Sequence, residues 1–214
     1  MLQITQRDTF TKIYNYEIIP NAVNTDMFKY LEKDEEKRKK ILSIRPYSSK
    51  KYANDISIKA ILELREKSFF NQMEFALYGK GKYFKKLTKE LEGLENVKIY
   101  NKFLSQREIS QIHKNYGIFL CPTRQDAQGV SMCEAMSSGL VPISSNNTAI
   151  PEFVKNKETG ILTENYKEIA GALEYLYKNP EEFKKISKSA SEWIKEICSH
   201  EKIILRELKI MEEI

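Results

Sequence analysis

The chain has 214 residues, with 35 Lys and Arg against 30 Asp and Glu, 41% hydrophobic and 11% aromatic side chains. That composition excludes a disordered or collagen-like chain, and no stretch approaches the roughly 18 apolar residues that span a bilayer. The start, MLQITQRDTFTK, has no apolar segment of a secretory signal, and three scattered cysteines (Cys121, Cys133, Cys198) are too few for a disulfide framework, so a reducing compartment is expected.

Short apolar runs alternate with helical patterns along the chain. The runs 40–45 (KILSIR), 73–78 (MEFALY), 96–100 (NVKIY), 117–121 (GIFLC) and 140–144 (LVPIS) predict strands buried on both faces of a parallel sheet. Between them, 54–66 places Ile58, Ile61, Leu62 and Arg65 at helical spacing, and 82–92 separates Leu87 and Leu91 by one turn. Ser105 with Glu108 reads as a capping box opening a helix over 106–115. A helix over 131–138 stops before Gly139. After Gly160 the pattern is helical, over 166–178, 180–197 and 200–213, with Asn179-Pro180 separating the first two and Trp193 expected as a packing anchor. The fold class is therefore α/β: a single Rossmann-like, doubly wound parallel sheet flanked by helices, with a helical C-terminal tail. One domain over 1–214 is expected, with 1–18 entering it and 179–214 forming the closing helices.

Charge is uneven. Residues 29–51 hold nine basic and four acidic side chains, and the remainder is balanced at 26 of each. A local excess suits a small anion or a solvated loop at KDEEKRKK better than a nucleic acid, whose footprint spreads over a face or a helix. His113 and His200 fall on helical patterns away from the strand ends and are read as structural; the Cys and His spacings offer no zinc site.

In such a sheet, ligands bind beyond the carboxyl ends of the strands, where strand order reverses. Of the loops placed there, 122–139 (PTRQDAQGVSMCEAMSSG) is the most informative. The amides of Gly129, Val130 and Ser131 open a helix whose dipole favours an anion. Asp126 and Glu134 lie eight apart, either as a pair facing one cleft or as a loop cap and an exposed helical acid.

The stretch from SQREISQIHKNYGIFLCPTRQDAQGVSMCEAMSSG to LVPISSNNTAIPEFV resembles the signature region of the family 4 (group 1) glycosyltransferases. The likeness extends over roughly 19–178, from IPNAVNTDMF through ILSIRPYSSKKYANDISIKAILEL and FALYGKGKYFKKL. It implies the C-terminal, donor-binding half of the two-Rossmann-domain B fold, with Asp126 and Glu134 as an acid-x7-Glu motif. Arg45 with Lys50 or Lys51 then matches the basic pair that neutralises a donor diphosphate, a task for a guanidinium fork and a compact ammonium. Gly79 and Gly81 match a Gly-x-Gly that either turns the chain or lets a ligand approach. Asn101, Lys102 and Phe103 occupy the nucleobase loop, although Phe103 could equally be core. Glu134 would accept the ribose hydroxyls, Gly129, Val130 and Ser131 would hold the phosphates, and Asp126 would face the donor sugar.

Three departures stand out. Asp replaces the commoner Glu at position 126, Tyr52 stands where the family usually has Gly, and Thr148-Ala149 replace a glycine pair. The resemblance implies retaining transfer from a nucleotide diphosphate sugar to an acceptor glycan, lipid-linked sugar or protein in cell-envelope polysaccharide synthesis. It implies no metal cofactor, no nucleic-acid partner, and a cytoplasmic location, with any peripheral membrane contact at the inner face made through a missing N-terminal Rossmann-like domain. The alternative is a nucleotide-sugar binding module inactive without that domain.

Overall fold

The structure, a computed structural model, describes residues 2–212. Its strands are β1 (Lys40–Ile44), β2 (Glu74–Tyr78), β3 (Val97–Tyr100), β4 (Ile118–Leu120), β5 (Val141–Ser145) and β6 (Ile161–Thr163). Its helices are α1 (Leu2–Thr9), α2 (Asn54–Leu64), α3 (Phe84–Thr88), α4 (Gln106–His113), α5 (Val130–Ser137), α6 (Ile150–Phe153), α7 (Tyr166–Lys178), α8 (Pro180–Cys198) and α9 (His200–Glu212). All six strands are parallel, in the order β3-β2-β1-β4-β5-β6. The chain builds outward from β1 in one direction and from β4 in the other, so the reversal of strand order lies between them.

Successive strand residues alternate between two cores, as the pleat requires. Ile41, Phe75, Leu77, Ile118 and Leu120 pack with Ile58, Ile61 and Leu64 of α2 and Leu173 and Leu176 of α7. Leu42, Ala76 and Phe119 pack on the opposite face with Met132, Cys133 and Met136 of α5 and Ala190 and Ile194 of α8. Burial on both faces is why the strands read as continuous apolar runs. No helix among the described residues is long and apolar enough to cross a membrane.

The five predicted strands are present within one residue at each end. The sixth, β6, contradicts the all-helical reading after Gly160. It has only three residues, and it is held by the β5 ladder and by the Thr163 hydroxyl donating to Ser144 O at 2.9 Å. The predicted helix 82–92 is broken: α3 ends at Thr88 and a 3-10 turn over Lys89–Leu91 runs into extended Glu92. Helix 106–115 stops at His113, 131–138 starts one residue early, and position 213 of the last predicted helix lies outside the described residues. Helix α1 buries no side chain, so no core-facing periodicity announced it. The capping box forms as expected: Ser105 N donates to Glu108 Oε2 at 2.8 Å, and Glu108 N donates to Ser105 Oγ at 3.3 Å. Trp193 anchors α8 through Nε1 donating to Phe153 O at 3.0 Å.

The basic run at 37–40 is not a solvated loop. It lies in a 3-10 turn, Glu35–Lys39, that leads directly into β1. There Arg38 Nε donates to Tyr177 O at 2.8 Å and Lys39 Nζ pairs with Glu36 at 2.7 Å.

Candidate functional site

Arg45 is the first residue past β1, at the strand-order reversal. Its amide continues the ladder by donating to Tyr78 O at 3.0 Å, which turns its side chain into the crevice between the loops after β1 and β4. The guanidinium is only 4% exposed. Among the described residues its only hydrogen bond is a long one, Nη1 to Ser131 Oγ at 3.4 Å, while Nη2 lies 3.7 Å from Asp126 Oδ2. Nε and Nη2 are buried without a hydrogen-bond partner among the described residues. A buried donor left unbonded costs about 1–3 kcal/mol, more when charged, so this cation is set for an acceptor from outside the chain.

The surrounding loops are stitched together. Arg124 forks onto Asp55 at 2.9 and 2.7 Å and donates to Lys50 O at 2.7 Å. The Thr123 hydroxyl donates to Lys51 O at 3.0 Å, and Asn147 Nδ2 donates to Thr123 O at 2.9 Å. Lys50 and Lys51 sit exposed on a 3-10 turn over Lys50–Tyr52. The Tyr52 ring receives two cations, Arg45 with Cζ at 5.1 Å and Lys51 with Nζ at 4.9 Å from its centroid. Lys51 therefore shares an aromatic neighbour with Arg45. Sequence reading noted Tyr52 only as a departure from glycine; as a platform for cations it has a role of its own.

Helix α5 opens toward Arg45. Asp126 Oδ1 accepts from Gly129 N at 2.8 Å and from Gln128 N at 3.3 Å. The Gly129 amide is thus occupied by the chain's own carboxylate, contrary to its expected role at a phosphate. The cause is local: an aspartate side chain readily accepts from the backbone amides two and three residues on, forming an Asx turn ahead of the helix. Val130 and Ser131 supply the first two amides of α5, which by helix geometry have no acceptor within it. Asp126 is itself fixed, its amide donating to Thr148 Oγ1 at 3.1 Å. Thr148 keeps a left-handed φ of +50° although it replaces a glycine of the family pattern. The same loop is clasped from the far side: Gln128 Oε1 accepts from Asn21 N at 2.7 Å, and its Nε2 donates to Asn21 O at 2.9 Å.

Glu134 lies three residues after Ser131, on the same face of α5. It is 7% exposed, and its Oε1 accepts from Gln106 Nε2 at 3.2 Å. Burial pushes its carboxyl up to about 7. It is a buried acid, not the exposed helical acid that spacing alone allowed. Gln106 was missed by sequence reading, although its place directly after the Ser105 cap aims it from α4 across to α5. The adjoining loop holds Lys102, whose Nζ lies 3.8 Å from Glu108 Oε1 and 5.9 Å from the Tyr78 ring centroid. Phe103 stands 64% exposed there and is not core.

Gly79 backs onto the main chain of Arg45. A Cβ at Gly79 would stand 2.1 Å from Arg45 O and 2.7 Å from the Tyr47 ring; one at Gly81, where φ is +150°, would stand 2.3 Å from Tyr47 C. At both glycines the space a side chain would take is filled by the chain's own 45–48 loop, so close packing of the chain already requires them. Gly79→Ala is expected to lower stability by about 1–3 kcal/mol, measured by urea denaturation; an unchanged midpoint would show that the loop shifts freely.

A sequence model of the group 1 glycosyl transferases matches residues 25–193. The chain belongs to this family. No curated protein matches it. Among solved structures, this family member resembles sucrose-phosphate synthase from Thermosynechococcus elongatus at a TM-score of 0.82 and 16% identity, over 99% of this chain and 55% of that one. It resembles a glycosyltransferase from Rickettsia africae at 0.76 and 19%, over 92% and 56%. It also covers 100% of the C-terminal domain of a group 1 glycosyl transferase, LpcC, from Francisella tularensis, using 84% of its own length, at 0.72 and 20%. These likenesses give the fold: a Rossmann-like domain spanning a little over half of the two longer structures.

Proposed function

We propose that this group 1 family member is the donor-binding half of a retaining glycosyltransferase, moving a sugar from a nucleotide diphosphate sugar to a glycan or lipid-linked acceptor. The observation that carries the reading is Arg45, a buried guanidinium with two unbonded nitrogens at the strand-order reversal, opposite the start of α5. A diphosphate placed there would take bonds from Nε and Nη2 and from the Val130 and Ser131 amides, with Lys51 or Lys50 closing over it. As the anomeric carbon–oxygen bond breaks, negative charge grows on the departing diphosphate, and donors already fixed in place stabilise that charge without reorganising. Glu134, beside the 101–106 loop, would accept the ribose hydroxyls. Asp126 would face the sugar after yielding the Gly129 amide. The reading carries no metal cofactor and a cytoplasmic location.

Support for the donor class comes from a structural neighbour, Anabaena HepE, solved with UDP. The second reading, a binding module inactive without a second Rossmann-like domain, is favoured by the 55–56% coverage of longer neighbours. Turnover of a sugar nucleotide by the 214-residue chain alone would remove it.

The test is calorimetric titration with UDP, GDP and ADP. One of them is expected to bind, and Asp126→Asn is expected to bind it about three- to tenfold more tightly, because the competing negative charge near the phosphates is gone. Absence of binding by all three diphosphates and their sugar conjugates would overturn the reading.

A further inference from the structure

Helix α6 is preceded by a strained turn. Ile150 N donates to Asn147 O at 3.1 Å, closing a turn over 147–150 in which Thr148 has φ +50° and Ala149 has φ −94° and ψ −5°. A positive φ at the first central residue alone is the sign pattern of a type II′ turn, whose first central position glycine fills. Among the described residues five other than glycine have a positive φ, and Thr148 is the only β-branched one, the class for which that region is a true outlier. Such strain persists only where the surroundings hold it. Here the hydroxyl does so. Thr148 Oγ1 accepts from Asp126 N at 3.1 Å and donates to Asn147 Oδ1 at 3.3 Å. Asn147 Nδ2 donates in turn to Thr123 O at 2.9 Å, and Ala149 N donates to Asp126 O at 3.4 Å. The turn after β5 thus grips the main chain of the loop after β4 at two residues.

The bonds at Asp126 fall into two sets. Its carboxylate is held by the Gly129 and Gln128 amides and lies 3.7 Å from Arg45, and these are the contacts a bound donor exchanges. Its main chain is held by Thr148 and Ala149, and nothing in a donor replaces those bonds. We propose that Thr148 is a positioning residue that determines sugar specificity. Its hydroxyl fixes the Asp126 main chain, so that the carboxylate, once free of Gly129, meets one arrangement of sugar hydroxyls and not another. Resting on the donor reading above, this assignment adds to it the residue that sets the reach of the acid. A carboxylate accepts from hydroxyls, and a site built to bond a hydroxyl at one place rejects the sugar that lacks it there. The diphosphate lies outside this effect, since Arg45 is placed by the end of β1 and the Val130 and Ser131 amides by α5.

The test is calorimetric titration of the 214-residue chain with UDP, GDP and ADP and with their glucose, galactose, mannose and N-acetylglucosamine conjugates. The wild type is expected to prefer one conjugate over its epimers by about tenfold. Thr148→Val keeps the shape and loses the hydroxyl, and should reduce that preference to about twofold or less while binding the diphosphate as the wild type does. Thr148→Ser keeps the hydroxyl and should retain the preference. Thr148→Gly releases the strain, so it should melt at or above the wild-type temperature and still lose the preference; a tie that served stability alone would give the reverse. A wild type that binds no diphosphate and no conjugate overturns the donor reading and this assignment together. Diphosphate binding with no sugar preference in the wild type, or with the preference intact in Thr148→Val and Thr148→Gly, overturns this assignment alone. So does its loss in Thr148→Ser, which would place the effect in the methyl group.

Discussion

Replacing Arg45 by methionine lowers affinity for the bound nucleoside diphosphate about a hundredfold and leaves the melting temperature unchanged or higher. The two effects diverge because the side chain is poorly satisfied without a ligand. A hydrogen bond to a charged group is worth about 1.5–3 kcal/mol, so losing two costs roughly 3 kcal/mol or more of binding, and each 1.4 kcal/mol is a factor of ten. In the folded chain the guanidinium has one hydrogen bond of 3.4 Å, an ion pair of 3.7 Å and the Tyr52 ring at 5.1 Å to set against its burial. Exchange of such a buried charge for a well-packed apolar side chain is often neutral or stabilising. Asp126 is not stranded by the change, since its Oδ1 keeps the Gly129 and Gln128 amides. Calorimetry beside a thermal melt separates the outcomes. A drop of several degrees with intact affinity would make Arg45 a structural residue and remove the main support for the donor reading.

Glu134→Gln is expected to stabilise the free protein at alkaline pH and weaken nucleotide binding. Burial raises the folded carboxyl to about 7, against an ordinary value near 4.5. Between those values the native state holds a proton that the unfolded chain has released, so stability falls as pH rises through the window. The penalty is complete above pH 7 and absent below about 4.5. A shift of this size corresponds to a few kcal/mol, on the order of 3, at pH 8. Glutamine has no such penalty, so the variant should exceed the wild type in urea denaturation at pH 8 and match it at about pH 4. Two ribose hydroxyls donating to the carboxylate favour its ionised form, so binding releases a proton. Wild-type affinity should therefore rise from pH 5 to 7 more steeply than that of the variant, which should bind roughly tenfold more weakly at pH 7. Parallel pH profiles for the two proteins would remove Glu134 from the ribose position.

Much of this architecture was legible because local signals agree. Five apolar runs, the Ser105–Glu108 box and Gly139 at a helix end each state one element, and their alternation fixes the parallel sheet. Strand β6 was hidden because three residues carry no period. Gly79 was ambiguous for another reason: the atoms that need its missing Cβ, in Arg45 and Tyr47, lie more than thirty positions away. At the site, the family resemblance named Arg45, Asp126 and Glu134, but it could not show that Asp126 occupies the Gly129 amide or that Gln106 faces Glu134. Those depend on loop closure and on the approach of α4 to α5.

The amide clasp between Asn21 and Gln128 joins positions 107 residues apart. It binds the segment entering the domain to the loop that carries Asp126. The neighbouring Val23 amide donates to Cys198 O at 2.7 Å, so the same short segment is also tied to the end of α8. Seating of residues 21–23 and the shape of the donor loop are thus one linked equilibrium. Force applied to the entry segment is felt at Asp126, and a ligand that reshapes the donor loop pulls on the entry segment in return.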